Sequence, residues 1–240
     1  MHQAVKDIFP SFSKEFEGRI SHFYLDVKGL VTIGVGNLVD PVELALTLPL
    51  QRKDTGRPAT RSEIMEEWSK VKANKALAQR GHLAAAKVTA LALSDSAIDE
   101  LVSRKFEEFA RHIRRHYTEI DQYPADAQLA LMSMAWAMGP DFPRSWPRFS
   151  VLVLNRDWAS AAAGCKMREA GNPGLVPRNA ENKKLFENAA LVVRQGLDKS
   201  QLFGKHATTP AVPLPAKKPE QTKQGWFEFV LSCFFKTGKG

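Results

Sequence analysis

The sequence has few cysteines and no long apolar run. Only Cys165 and Cys233 occur in 240 residues, too few for a disulfide-stapled framework, so free thiols are expected. No apolar run reaches the roughly 20 residues that a membrane-spanning helix needs. The N-terminal segment also lacks the uninterrupted apolar core of a secretory signal. The sequence therefore predicts a protein that is made in the cytoplasm without a signal peptide.

Acidic residues are fewer than basic ones, 26 against 34, which gives a formal net charge of +8. Charge alone fits nucleic acid, an anionic membrane and an anionic cell wall equally well. Nucleic-acid binding is not expected, because the arginine-rich segment at residues 104–115 has no interleaved exposed aromatics. His112 and His116 lack a third ligand at suitable spacing, so no metal site is expected either.

A short β-hairpin is predicted near the N-terminus. The strand-like runs at residues 23–26 and 30–33 are separated by a turn that includes Gly29, where a positive φ costs little. Asp26 ends the first run and Thr32 lies within the second. We therefore expect the two side chains on paired strands.

A second carboxylate precedes this hairpin. Glu17 lies at the end of a segment with helical apolar periodicity, and we expect it to face Asp26 and Thr32. Cleavage of a glycosidic bond requires a protonated carboxylic acid at the leaving oxygen and an ionised carboxylate that assists a water molecule. Glu17 and Asp26 are the candidates for these two groups.

The spacing of these residues is similar to a known catalytic signature. Glu17 lies nine residues before Asp26, which lies six residues before Thr32. Tyr-x-Asp precedes the turn, and Thr-Ile-Gly-x-Gly follows it. This pattern resembles that of the phage-type lysozymes, glycoside hydrolase family 24.

Two further stretches resemble the same family, in the same order. Residues 126–163 resemble its central helix and the helices that follow, and residues 173–186 resemble its closing Gly-Leu-x-x-Arg-x-x-Glu-x-x-Leu-Phe element. The resemblance covers roughly residues 8–195. It implies a mainly helical α+β fold of two lobes, in which a small β-hairpin lobe carries the active site and a larger lobe is helical.

The resemblance implies a catalytic role for three residues. Glu17 matches the general acid, whose carboxyl must keep its proton at the working pH. Asp26 matches the aspartate that orients or activates water, and Thr32 matches the hydroxyl that positions this water. Each residue also has a structural alternative: a surface salt bridge for Glu17, a turn cap for Asp26 and a strand position for Thr32.

Three more residues match substrate-binding positions of the family. Leu38 matches an apolar residue of the cleft, and Trp136 matches an aromatic residue at the lobe junction. A tryptophan face suits the apolar face of a sugar ring, but burial in the core is an equal alternative for Trp136. Arg178 matches an arginine near the cleft, which either binds peptide-stem carboxylates or pairs with an interior carboxylate.

The larger lobe is predicted to be helical. Ser94 is a candidate N-cap for an amphipathic helix that extends through Phe109. Residues 127–138 are apolar nearly all round, which is typical of a helix buried on most sides. Further amphipathic segments lie at residues 151–165 and 181–196.

Composition divides the chain into a catalytic domain, a linker and a tail. The catalytic domain is predicted at residues 1–205 and includes an insertion or divergent region at about 49–93, where residues 60–63 form a capping-box pattern. Residues 206–225 are a linker rich in proline and lysine. The apolar tail at 226–240 is expected to adhere to a membrane surface, dock on a partner or pack on the larger lobe.

The resemblance implies a muramidase that needs no cofactor. Its substrate is expected to be the β-1,4 bond between N-acetylmuramic acid and N-acetylglucosamine in bacterial peptidoglycan. The protein is expected to reach the cell wall in the periplasm either as a phage endolysin, after lysis, or as an antibacterial effector, through a secretion system. The expected partners of an effector are an immunity protein and a secretion or particle component.

Two other functions fit the same fold. A lytic transglycosylase can dispense with a second carboxylate, so the presence of Asp26 favours a hydrolase. A catalytically silent wall-binding or assembly module would retain the fold and use the region at 49–93 and the tail.

Overall fold

The computed structural model describes residues 1–207, which adopt a mainly helical α+β fold. This confirms the predicted fold class. The apolar tail, Cys233 and nearly all of the expected linker lie outside the described residues. Cys165 is a free, buried thiol. None of the helices described is long and apolar enough to cross a membrane.

The strands all lie in the first half of the described chain. β1, β2 and β3 form one antiparallel sheet, and β4 pairs with β5 in a second. The register of the first sheet places Thr32 opposite both Tyr24 and Leu38. The elements here are α1 (Gln3–Lys14), β1 (Ile20–Leu25), β2 (Val31–Gly34), β3 (Asn37–Leu38), α2 (Val42–Ala45), β4 (Gln51–Arg52), α3 (Arg61–Ala73), α4 (Leu77–Arg80), α5 (His82–Ala86) and β5 (Leu91–Ala92).

The remainder is mainly helical, as predicted, but the segment predicted at residues 151–165 is interrupted between Leu154 and Trp158. The Ser94 hydroxyl accepts a hydrogen bond from the amide of Ala97 at 3.2 Å, which confirms the expected N-cap. The helices are α6 (Asp95–His116), α7 (Ala125–Met138), α8 (Phe142–Ser145), α9 (Pro147–Leu154), α10 (Trp158–Gly164) and α11 (Leu175–Gln195), with 3-10 turns at Ile120–Gln122 and Gly204–His206.

Helix α7 is the centre of the helical part. Twelve of its residues, Ala125 to Trp136, are buried, which confirms the predicted buried helix. Helices α11, α1 and α6 pack against it. Phe9 of α1 contacts Phe106 of α6 and Trp136 of α7, with ring centroids 4.9 and 5.0 Å apart. These aromatic contacts fix α1, and therefore the segment that follows it, relative to the helical core.

The region at residues 49–93 packs beside the three-stranded sheet. Thr60 and Glu63 form the predicted capping box at the start of α3. One turn further on, Trp68 donates its indole N–H to the carbonyl of Val39 at 2.8 Å. The buried Glu67 accepts hydrogen bonds from backbone amides at the start of β5. The contacts of α3 with β1 and β2 hold this region against the hairpin.

Asp126, in the first turn of α7, is a buried carboxyl group that makes the folding stability depend on pH. Its side chain accepts hydrogen bonds from Asn188 Nδ2 at 2.9 Å and from the amide of Phe203 at 3.3 Å. Burial nevertheless raises the pKa of Asp126 to about 7, because it disfavours the charged form more than these donors stabilise it. The unfolded chain loses this proton near pH 4, whereas the folded protein holds it until about pH 7.

We therefore expect Asp126→Asn to stabilise the protein at pH 8. The pKa of about 7 sets a ceiling of about 4 kcal/mol, and the cost of burying an amide leaves about 1–2 kcal/mol. Wild-type stability should fall as the pH rises from 4 to 7 through this group, so the advantage of the variant should disappear towards pH 4. Thermal melts between pH 4 and 8 measure this.

The exposed Asp121 is the matched control for that experiment. Its pKa is lowered to about 2, chiefly by the hydrogen bond from Arg114, so Asp121→Asn should give no gain at pH 8. A stability difference between Asp126→Asn and the wild type that is the same at pH 4 and at pH 8 would contradict the raised pKa of Asp126, because the cost of burying the amide does not depend on pH.

Candidate active site

Glu17 lies just beyond α1, where the last helical hydrogen bonds end. Its amide donates to the carbonyl of Ser13 at 3.0 Å, and its side chain is 30% exposed. Its Oε1 accepts a hydrogen bond from Nη2 of Arg178. Glu17 is therefore a carboxylate with one face held by the protein and one face open to solvent.

Arg178 is buried beneath Glu17, with only 4% of its side chain exposed. Its Nη1 donates to the carbonyl of Ser133 in α7 at 3.0 Å, and its guanidinium lies 5.0 Å from the centroid of the Phe16 ring. Burial lowers the pKa of Arg178, and the charge of Glu17 opposes that shift. Of the two roles expected for Arg178, the structure shows pairing with a carboxylate, which is Glu17 itself.

Asp26 forms the first residue of the hairpin turn, directly after β1. Its Oδ1 accepts hydrogen bonds from the amides of Lys28 at 2.8 Å and Leu30 at 2.9 Å. Gly29 in this turn has φ +74°, as the predicted turn requires. Within residues 1–207, Oδ2 makes no hydrogen bond. One oxygen therefore caps the turn, and the other is free to meet a ligand.

Thr32 lies in the central strand of the sheet and is 5% exposed. Its hydroxyl donates to the carbonyl of Leu30 at 3.2 Å, which leaves the oxygen lone pairs as acceptors. Its strand neighbour Tyr24 has a raised pKa, first through burial and then through the charges of Asp26 and Glu17. Tyr24 thus lies opposite Thr32 and within electrostatic reach of Asp26 and Glu17.

Leu38 and Trp136 have different surroundings. Leu38 is 50% exposed and lines a cavity of about 920 Å³ between β3 and α6. Trp136 is 8% exposed, packs between Phe9 and Phe109, and does not line this cavity. Trp136 is therefore chiefly a core residue in this structure.

Lys105 of α6 is a residue of the site that the sequence analysis missed. Its Nζ lies 4.5 Å from the centroid of the Trp136 ring, and its side chain lines the same cavity as Leu38. The available signal was its position one helical turn from both Leu101 and Phe109, within the apolar stripe of α6. A lysine at such a position packs its apolar stem against apolar neighbours, while its charged ammonium extends beyond them.

Neither protein-family models nor curated proteins match this chain. The resemblance to phage-type lysozymes therefore stays a prediction. Among the residues described, no group of three or more His, Cys, Asp or Glu side chains is arranged to hold a metal ion.

The arrangement presents two carboxylates and a hydroxyl in the neighbourhood of Tyr24, and a different interaction fixes each of them. Arg178 holds Glu17, the hairpin amides hold Asp26, and the strand register holds Thr32. Such a set can donate a proton to one oxygen atom while it orients a water molecule nearby.

Proposed function

We propose that this protein is a peptidoglycan hydrolase of the muramidase type, related to the phage-type lysozymes. It cleaves the β-1,4 bond between N-acetylmuramic acid and N-acetylglucosamine. The observation that supports this most is the partly exposed carboxylate of Glu17, which is hydrogen-bonded to the buried Arg178. The hairpin that follows it carries the second carboxylate, Asp26. Glycosidic hydrolysis requires two carboxyl groups of this kind with room for a sugar between them.

Glu17 is the general acid in this proposal. Its carboxyl donates a proton to the glycosidic oxygen as the bond to C1 of muramic acid breaks. Asp26 Oδ2 accepts a proton from a water molecule that attacks C1, and the Thr32 hydroxyl positions this water. The attack comes from the face opposite the leaving group, so the product should have inverted configuration at C1. Proton NMR of the fresh product distinguishes inversion from retention.

Mass spectrometry of the fragments released from purified peptidoglycan tests the function directly. A hydrolase adds water and leaves reducing muramic acid, whereas a lytic transglycosylase leaves anhydro-muramic ends that are lighter by one water. Reducing ends support the muramidase, and anhydro ends would exclude it. Binding to the wall without any release would favour a catalytically silent wall-binding module, in which Asp26 serves only as a turn cap.

Asp26→Asn separates the turn cap from the chemistry. An asparagine Oδ1 can still accept the amides of Lys28 and Leu30, so the melting temperature should change little. It cannot accept a proton from water, so kcat on peptidoglycan should fall by about 100-fold or more.

Asp26→Ala is the companion variant for that test. It removes the cap as well and should cost about 1 kcal/mol of folding stability in addition to the activity. If the asparagine variant retains wild-type kcat, Asp26 is a turn residue and not part of the reaction.

The proposal includes the route to the wall. As an endolysin the protein reaches peptidoglycan when the host lyses, and as an effector it is carried by a secretion system or particle component. A producer of such an effector needs an immunity protein that covers the cleft. Coexpression with the neighbouring reading frame should then suppress lysis, and unchanged lysis with every neighbour would argue for the endolysin route.

A further inference from the structure

Lys105 is a charged group with an unusual environment. Its ammonium lies over two aromatic rings, 4.5 Å from the centroid of Trp136 and 5.4 Å from that of Phe109. Within residues 1–207 it makes no hydrogen bond and no ion pair, and only the more distant charges of Glu17 and Glu108 act on it. Burial lowers the pKa of Lys105, and these two charges oppose the shift.

An ammonium in this position has unused binding capacity. It carries three N–H donors, and aromatic faces stabilise its charge without accepting those hydrogens in the way an oxygen does. Partial burial also removes water that would otherwise solvate the charge. An oxygen anion that approaches from the cavity would meet donors that are already oriented and partly desolvated.

The cavity beside Lys105 has the size of a ligand site. Its volume of about 920 Å³ lies within the range found for small-molecule pockets. The exposed Leu38 lies on the β3 side of this cavity, and Lys105 lies on the α6 side. Leu38 pairs with Thr32 across the sheet, and Glu17 is close enough to Lys105 for its charge to act on it, so this cavity lies near Thr32 and Glu17.

We propose that Lys105 is an anion-binding residue of this cavity, which Arg104 and Arg111 also line, and that its ligand is a carboxylate carried by the glycan substrate. This rests on the proposed function and adds a specificity element to the same site. Peptidoglycan offers two such carboxylates. In a strand with stem peptides the carboxylates lie on the peptide, and in a peptide-free strand the lactyl group of muramic acid is itself free.

Binding titrations by calorimetry test this in the Glu17→Gln background, where turnover should be slower by about 1000-fold. Three ligands are used: a disaccharide-peptide with free carboxylates, the same compound with its carboxyls amidated, and the peptide-free disaccharide. We expect the free acid to bind at least 10-fold more tightly than the amide. We expect Lys105→Met, which keeps the apolar stem over Trp136, to remove this preference, and Lys105→Arg to retain part of it.

The peptide-free disaccharide distinguishes the two sources. If the peptide-free disaccharide binds more tightly than both disaccharide-peptides and is the one ligand that loses affinity in Lys105→Met, the ligand is the lactyl carboxylate. If only the disaccharide-peptide responds to the substitution, the ligand is a peptide carboxylate. Either result supports the anion site.

Lys184→Met is the matched control, because Lys184 is exposed on α11 and does not line the cavity. It should keep the full preference for the free acid. Two results would overturn the proposal: an acid preference that persists in Lys105→Met, or an equal loss of affinity for acid and amide in that variant. The second result would mean that Lys105 only packs on Trp136 or supports Glu17.

The outcome is separable from that of the proposed function. Peptidoglycan turnover by the wild type, with no effect of Lys105→Met on the binding of either the free disaccharide-peptide or the peptide-free disaccharide, would support the muramidase and remove the anion site. Carboxylate-dependent binding that needs Lys105, without turnover by the wild type, would support the anion site in a wall-binding module.

Discussion

Replacing Glu17 with glutamine should lower kcat on purified peptidoglycan by about 1000-fold, because a positioned general acid contributes about 10²–10⁴-fold. Glutamine has nearly the same shape and retains an oxygen that can accept a hydrogen bond from Arg178. It has no acidic proton to give to the leaving sugar. Fragment release from the wild type and the variant, compared side by side by mass spectrometry, measures the loss.

Glu15→Gln is the matched control for this experiment. Glu15 lies two residues earlier, is exposed, and pairs with Lys205 at 2.9 Å on the surface. Its removal should leave activity within a factor of two, since exposed ion pairs contribute little. More than a tenth of wild-type activity in Glu17→Gln, with Glu15→Gln unaffected, would mean that Glu17 is not the general acid.

Arg178→Met should affect both stability and activity. The guanidinium is buried, and its loss leaves the Ser133 carbonyl without this partner and Glu17 without its counter-charge. Breaking a fully buried pair costs about 3–5 kcal/mol, and the partial exposure of Glu17 reduces this to about 2–3 kcal/mol. For a domain of this size that corresponds to a fall in melting temperature of about 4–12 °C.

The activity should fall by about 100-fold in the same variant, because Glu17 is no longer held in one orientation. Arg178→Lys should show intermediate losses of stability and activity. Lysine retains the positive charge but lacks the planar guanidinium that bonds Glu17 and the Ser133 carbonyl at the same time. Thermal melts and rates of fragment release measure the two effects.

Arg114→Met controls for the loss of an arginine. Arg114 forms an exposed pair with Asp121 at 2.9 Å, so its removal should cost less than about 1 kcal/mol and leave activity unchanged. Equal melting temperatures for Arg114→Met and Arg178→Met would contradict a stabilising role for the buried pair. Full activity in Arg178→Met would show that Glu17 needs no support.

The elements with local determinants could be predicted from the sequence. The Thr60–Glu63 capping box, the Ser94 N-cap and the turn at Gly29 each depend on residues within a few positions of one another. Helix α7 was predictable because a helix with apolar residues on nearly all its faces is favourable only when it is buried. The class of fold followed from these segments.

One local prediction was only partly right. Asp26 was expected within the first strand, but β1 ends at Leu25 and Asp26 begins the turn. Its amide still donates to the carbonyl of Leu30, while its side chain accepts two turn amides. An aspartate at such a place satisfies turn donors better than it fills a strand position.

The sequence by itself determined the main helices and the hairpin turn, because short-range hydrogen bonds and apolar periodicity specify them. Only the tertiary structure decided that Arg178, 161 residues away, pairs with Glu17, and that Lys105 lies over Trp136. These contacts depend on how α11 and α6 pack against α7, and packing between elements distant in the chain leaves no local pattern in the sequence.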